Sequence, residues 1–146
     1  MSSVVELPYG KKRIVFDLPR DWEPDFFRPE PISPAEDPIR EVIHSLDNPY
    51  GNRKLIDFSG ATSVAIAICD ETRPVPNHVI LPRLLKSLHQ MGISKSAIQI
   101  LIASGLHSPM AKERLADILP VDLINQYPIT VHDAARSDLK FLGKTS

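Results

Sequence analysis

The sequence predicts an α/β fold: three layers around a mainly parallel, doubly wound sheet, preceded by an N-terminal hairpin and a proline-rich arm. Two observations carry this expectation. Val64 to Cys69 is a short apolar run without polar alternation, the pattern of a strand buried on both faces of a parallel sheet, and Ile98 to Ala103 reads as a second buried strand. Each is followed by a polar loop and then by residues with helical spacing, and this repeated order is that of doubly wound architecture.

Size and composition suit such a core. A chain of 146 residues buries roughly two thirds of its unfolded surface and needs no disulfide staple. Its 17 basic and 18 acidic residues are interspersed and leave a net charge of -1. No basic stripe is available for a phosphate backbone, so nucleic acid is not an expected partner. Cys69 is the only cysteine; ending an apolar run, it reads as an inert buried thiol in a reducing cytoplasm. Met1 to Gly10 lacks the apolar core of a signal peptide, and no segment offers the roughly 18 uninterrupted apolar residues of a membrane span. A cytoplasmic protein with no membrane partner is expected.

The elements follow in order. Val4 to Leu7 and Arg13 to Leu18 flank Pro8-Tyr9-Gly10-Lys11 and read as a hairpin, because proline and glycine supply turn geometry. Half of the 14 prolines lie from Pro8 to Pro38. Pro19 to Pro38, with Trp22, Phe26 and Phe27, therefore suits an extended arm packed on a surface. Asp37 and Pro38 read as N-cap and first-turn proline of a helix over Ile39 to Leu46. After the strand at Val64, a helix from Val79 to Met91 carries Leu81, Leu84, Leu85 and Leu88 on one face, with Pro82 near its first turn and Gly92 as its stop. After the strand at Ile98, Ser108 and Pro109 predict the cap of a helix from Met110 to Leu119. Pro120 ends it. A short helix over Val121 to Gln126 and a third strand over Ile129 to His132 complete the pattern. The organisation expected is a hairpin and arm over 1–36 and an α/β catalytic-domain fragment over 37–146. Ser137 to Ser146 supply no closing element, as though the domain were incomplete.

Chemistry concentrates at two strand ends. In open α/β sheets ligands bind outside the carboxyl ends of the strands. There this chain has Asp70-Glu71-Thr72-Arg73-Pro74-Val75-Pro76-Asn77-His78 and Ser104-Gly105-Leu106-His107-Ser108-Pro109. Arg73, in a loop stiffened by Pro74 and Pro76, can hold a carboxylate or phosphate through two parallel hydrogen bonds. Asp70 can orient Arg73, His107 or a substrate hydroxyl; the competing structural reading is a local Asp70–Arg73 pair. His107 precedes the expected helix N-terminus, whose partial positive charge would keep its ring neutral and available as a base. Gly105 permits close backbone approach, and the free amides of that helix start could accept an anion. His44, His78, His89 and His132 read as structural or solvated, with no helical metal-pair spacing among them.

The Asp70 to Pro76 loop, Ile80-Leu81-Pro82 with Leu84-Leu85, and Ser104 to Met110 resemble the amino-terminal domain of the nickel-dependent lactate racemase family. Asp47-Asn48-Pro49-Tyr50-Gly51 with Leu55 is also similar to the segment before that family's first long strand. The likeness covers most of the chain from Asp37 onwards. It implies a racemase or epimerase in which a nickel-pincer nucleotide takes a hydride from the 2-carbon of a 2-hydroxy acid while a histidine removes the hydroxyl proton. By this resemblance His107 and Asp70 are catalytic and Arg73 binds the substrate carboxylate, while Thr72, Ser104 and Gly105 contact the cofactor. It further implies that no metal ligand lies in this chain: the cofactor's tether, the nickel-binding histidine and the second acid/base histidine belong to a missing C-terminal part of the same protein. The isolated chain is then expected to be inactive. Leu106 and Ser108 depart from the family's usual neighbours of the histidine, which leaves the choice between lactate and another 2-hydroxy acid open. Two further readings rest on the residues alone: a non-catalytic anion or nucleotide binding module using the helix N-termini, and an interface domain that makes contact through its arm.

Overall fold

The computed structural model describes residues 4–27, 29–136, 139–141 and 143–144. They divide into two compact units, Met1–Pro34 and Ala35–Ser146.

The first unit is built on an antiparallel hairpin of β1 (Val4–Tyr9) and β2 (Lys12–Asp17). Both strands run closer to the turn than expected, so that Pro8 and Tyr9 pair with Arg13 and Lys12 and only Gly10 and Lys11 remain as the loop. Gly10 takes φ 58, the positive value a two-residue hairpin turn needs at its first central position. Register puts Val5, Leu7, Ile14 and Phe16 on one face, yet only Val5 is even half-buried. The arm that follows has no regular element, and Trp22, Phe26 and Phe27 are exposed rather than packed.

The second unit opens with α1 (Pro38–Asp47), where the Asp37 carboxylate accepts from the amides of Ile39 and Arg40, both at 3.0 Å. Its centre is a three-stranded parallel sheet in the order β3 (Val64–Ile68), β4 (Ile98–Ile102), β5 (Ile129–Val131). The expected α/β class and parallel sheet are what the structure has. Helix α2 (Asn77–Gln90) joins β3 to β4 and ends at Gly92, whose φ of 85 lets the Gly92 amide reach the His89 carbonyl and the Ile93 amide reach that of Leu88. Because α2 begins two residues before the expected start, Pro82 lies within its second turn.

Burial is one-sided. Ile66 and Ile68 of β3 and Ile98, Ile100 and Ile102 of β4 pack with Leu81, Leu85 and Leu88 of α2 and with Leu115, Leu119 and Leu123 beyond β4. The alternate residues Ala65, Ala67 and Gln99 are exposed, so neither strand is buried on both faces as its apolar run suggests. Topology explains this. Successive right-handed crossovers that step in one direction across a sheet place both connections on the same side. Cys69 follows the same alternation and its thiol is exposed, correcting the expectation of a buried one.

The helix expected over Met110 to Leu119 is instead a 3₁₀ segment, Lys112–Asp117, without a side-chain cap. At 3.6 residues per turn Leu115 and Leu119 would lie roughly 140° and 180° around the helix from Met110. All three are buried, which one α-helix starting at Pro109 could not achieve. Burial therefore overrides the Ser108–Pro109 cap signal. The short helix α3 (Val121–Gln126) follows Pro120 as expected.

Candidate active site at the carboxyl edge of the sheet

Asp70, two residues past β3, is buried among polar atoms that bind both of its oxygens. One accepts from the Thr72 hydroxyl at 2.6 Å and the Thr72 amide at 3.1 Å. The other lies 2.6 Å from His107 Nδ1, so the two strand-end loops meet across a separation of 37 residues. The Thr72 hydroxyl bond is the largest influence holding the Asp70 carboxyl at about 2, with the His107 bond next, against an ordinary value of 3.8. Asp70 is thus an anion at neutral pH. An anionic acceptor at Nδ1 requires that nitrogen to carry the proton, which leaves Nε2 with its lone pair when the ring is neutral. The Asp70 side chain is 6% exposed and that of His107 54%, the arrangement of an anchored ring with an accessible working nitrogen.

The turn presenting His107 follows from sequence. The Ser104 carbonyl accepts from the His107 amide at 3.0 Å across Gly105 and Leu106, and Gly105 has φ 58, a region that disfavours L side chains. A Cβ at Gly105 would meet no atom within 4 Å, so the glycine serves turn geometry here rather than close packing. Ser104 is buried, and its hydroxyl has no hydrogen-bond partner among the described residues.

The clamp loop is shaped by its prolines. The Val75 amide bonds the Arg73 carbonyl and the Asn77 amide bonds the Val75 carbonyl, each at 2.8 Å. These three-residue turns are centred on Pro74 and Pro76; Pro76 at φ -77, ψ 61 has the inverse γ conformation. Arg73 makes no side-chain hydrogen bond or ion pair among the described residues. The local Asp70–Arg73 pair is therefore not formed, since Thr72 and His107 occupy the carboxylate. Arg73 lines a cleft of about 650 Å³ with Glu71, His78, Arg114 and Asp117, and neither Asp70 nor His107 lines it. Arg114 bonds Glu71 at 2.8 Å and Asp117 at 3.1 Å, tying the clamp loop to the 3₁₀ segment.

A match to the family described as lactate racemase N-terminal domain extends over residues 9–146. The chain belongs to the lactate racemase N-terminal domain family. It is 32% identical over 139 residues to a lactate racemase of Thermoanaerobacterium thermosaccharolyticum, covering 92% of this chain and 32% of that protein. With a lactate racemase of Lactiplantibacillus plantarum it shares 33% identity over 135 residues, 88% of this chain and 31% of the relative. The lactate racemase apoprotein structure from T. thermosaccharolyticum superposes with a TM-score of 0.66 at 33% identity, over 90% of this chain and 30% of that one. The chain thus spans about a third of the length of these relatives, which are isomerases by name.

Within this family frame the structure joins Asp70, Thr72 and His107 and sets Ser104 and Gly105 in the turn that carries the histidine. One premise about His107 is corrected. Because the segment that follows Pro109 is the 3₁₀ stretch Lys112–Asp117 and not an α-helix starting at Pro109, neither the dipole nor the free amides of such a helix act at the ring; Asp70 fixes it instead. This also removes the second of the two helix N-termini on which an anion-binding module would depend. Sequence reasoning missed Arg114 and the buried Asn77. Arg114 pairs with a residue 43 positions away, and no local pattern announces such a pair. His89 bonds the Ile93 carbonyl at 2.8 Å and the Tyr127 hydroxyl at 2.7 Å, the structural role expected of it. No group of three or more His, Cys, Asp or Glu side chains among the described residues could hold a metal. No helix among them is long and apolar enough to cross a membrane.

Proposed function

We propose that this chain forms one wall of the active site of a racemase or epimerase acting on 2-hydroxy acids, with a nickel-pincer nucleotide as cofactor. The observation that carries the proposal is the 2.6 Å contact between Asp70 and His107 Nδ1, with Asp70 itself fixed by Thr72. A base needs the right tautomer, a fixed orientation and access to its substrate. His107 has all three. For one enantiomer its Nε2 takes the proton of the substrate's 2-hydroxyl, and in the reverse direction it gives a proton to the keto oxygen. Asp70 is a positioning residue that also stabilises the imidazolium formed in between, and Thr72 keeps Asp70 ionised and oriented. Arg73, free of protein partners among the described residues, pairs with the substrate carboxylate.

Ser104 fits the cofactor because its buried hydroxyl has no partner among the described residues, which costs about 1–3 kcal/mol unless a bound group satisfies it; Gly105, with open space where a Cβ would stand, leaves the adjoining backbone accessible to the same group. When bound, the nickel-pincer nucleotide supplies the acceptor and donor of the C2 hydride. Its tether and nickel ligand, like the acid/base group for the opposite face of C2, belong to the rest of the protein. Incubating the full-length, cofactor-loaded protein with one enantiomer of a 2-hydroxy acid and following the other by chiral chromatography tests the proposal. Interconversion is expected. Its absence across lactate and larger 2-hydroxy acids overturns the reading.

A further inference from the structure

Three carboxylates share a loop or a cleft with Arg73, and none of them pairs with it. Asp70 starts the turn that Arg73 closes, the Arg73 amide donating to the Asp70 carbonyl at 3.2 Å, but its side chain is taken by Thr72 and His107. Glu71 and Asp117 line the same cleft as Arg73, and both are taken by Arg114. Its Nη1 donates to Glu71 at 2.8 Å and its Nε to Asp117 at 3.1 Å. Arg73 is left as the guanidinium of that cleft with no partner among the described residues.

An arginine in a cleft with two free carboxylates would pair with one of them, since a guanidinium and a carboxylate match through parallel hydrogen bonds. A clamp so occupied would have to give up that pair before taking a substrate's carboxylate, and the free carboxylates would repel the incoming anion. Arg114 removes both obstacles with one side chain. Its fork presents Nε and Nη1 to different acceptors, so Asp117, three residues along the same segment, anchors it while it holds Glu71 of the clamp loop. Stability does not account for this arrangement. The side chains of Arg114 and Asp117 are more than half exposed, and ion pairs open to solvent contribute little to folding.

We propose that Arg114 is a positioning residue for substrate binding: by occupying Glu71 and Asp117 it keeps Arg73 open to the carboxylate of the substrate. The inference rests on the reading of Arg73 as the carboxylate clamp, and it gives Arg114 no contact with substrate. Without Arg114, Glu71 or Asp117 competes with substrate for Arg73, and the cost falls on KM rather than on kcat. Removing the two carboxylates as well abolishes the competitor and restores KM. A residue that merely tied the two loops together would behave otherwise, since deleting its partners cannot rebuild the tie.

The test uses the full-length, cofactor-loaded protein and compares Arg114→Ala with the triple variant Arg114→Ala, Glu71→Gln, Asp117→Asn. KM for the 2-hydroxy acid should rise roughly threefold or more in the single variant and return to within about twofold of wild type in the triple one. An unchanged KM in the single variant, or a KM that stays raised in the triple one, overturns the proposal. A second readout needs no turnover: phenylglyoxal condenses with both Nη nitrogens of a guanidinium, which a carboxylate partner covers. Mass-spectrometric mapping of the substrate-free proteins should show Arg73 labelled roughly threefold more slowly in Arg114→Ala than in wild type, and at the wild-type rate in the triple variant. Equal labelling of Arg73 in wild type and Arg114→Ala overturns the proposal even where no racemisation is detected. A KM unmoved by Arg73→Ala strikes the clamp itself, so the two failures are told apart. Arg114 is more than half exposed, so both variants should fold as the wild type does; a variant that fails to fold makes Arg114 structural and also overturns the proposal.

Discussion

The Thr72–Asp70–His107 chain makes two demands of a single carboxylate. Asp70 must be ionised to fix the His107 tautomer, and it must not swing away from the ring. Thr72 meets both by donating from its hydroxyl and its amide to one oxygen, leaving the other for the histidine. Replacing Asp70 with Asn should leave substrate affinity nearly unchanged and lower kcat by roughly 10²-fold or more; steady-state kinetics on the full-length enzyme check this split. The same group sets an acid dependence of stability. A carboxyl held at about 2 when folded and near 3.8 when unfolded adds stability above about pH 4, and that contribution is lost as the pH falls towards 2. Urea titrations across that window should show a wild-type slope that Asp70→Asn flattens. Arg73→Ala should act differently, removing the proposed charge-assisted pair with the substrate carboxylate, worth about 1.5–3 kcal/mol. It should lower kcat/KM by roughly 10- to 150-fold, largely through KM.

Backbone geometry at the level of elements explains why these side chains meet. The Asp70 loop is held by turns on Pro74 and Pro76, and the His107 loop by a turn that needs Gly105 at positive φ. Gly105→Ala should therefore cost about 1–2 kcal/mol, readable as a lower denaturant midpoint with an unchanged m value. Much of this was legible in the chain itself. The apolar runs marked β3 and β4, Gly92 marked the stop of α2, and polar residues at both strand ends marked the candidate site where Asp70 and His107 meet. The part that was not legible depended on distance in sequence. Whether Met110, Leu115 and Leu119 can share a core decides between an α-helix and a 3₁₀ segment, and only the packed sheet answers that. The Glu71–Arg114 bond and the meeting of Asp70 with His107 likewise depend on strand order, which β3 and β4 do not reveal separately.

At the scale of the molecule, the second unit stands on one dry sheet face. Ile100 is fully buried at its centre, and Ile100→Ala should cost about 2–5 kcal/mol, measured by chemical denaturation of the full-length protein. Sequence alone hides the one-sidedness, because an alternation of Ala with Ile reads as uniformly apolar although the two residue types face opposite sides. The resulting picture is a sheet packed on one face whose carboxyl edge presents an oriented histidine, with an arginine unpaired among the described residues; in the proposed reading the rest of the protein supplies the opposite wall. The central claim is that His107 moves the proton of the substrate's 2-hydroxyl. Its most direct test compares the rates at which full-length, cofactor-loaded wild-type and His107→Ala proteins interconvert the enantiomers of a 2-hydroxy acid. A loss of at least about 10²-fold in kcat is expected; turnover by the variant at the wild-type rate would exclude His107 from that role.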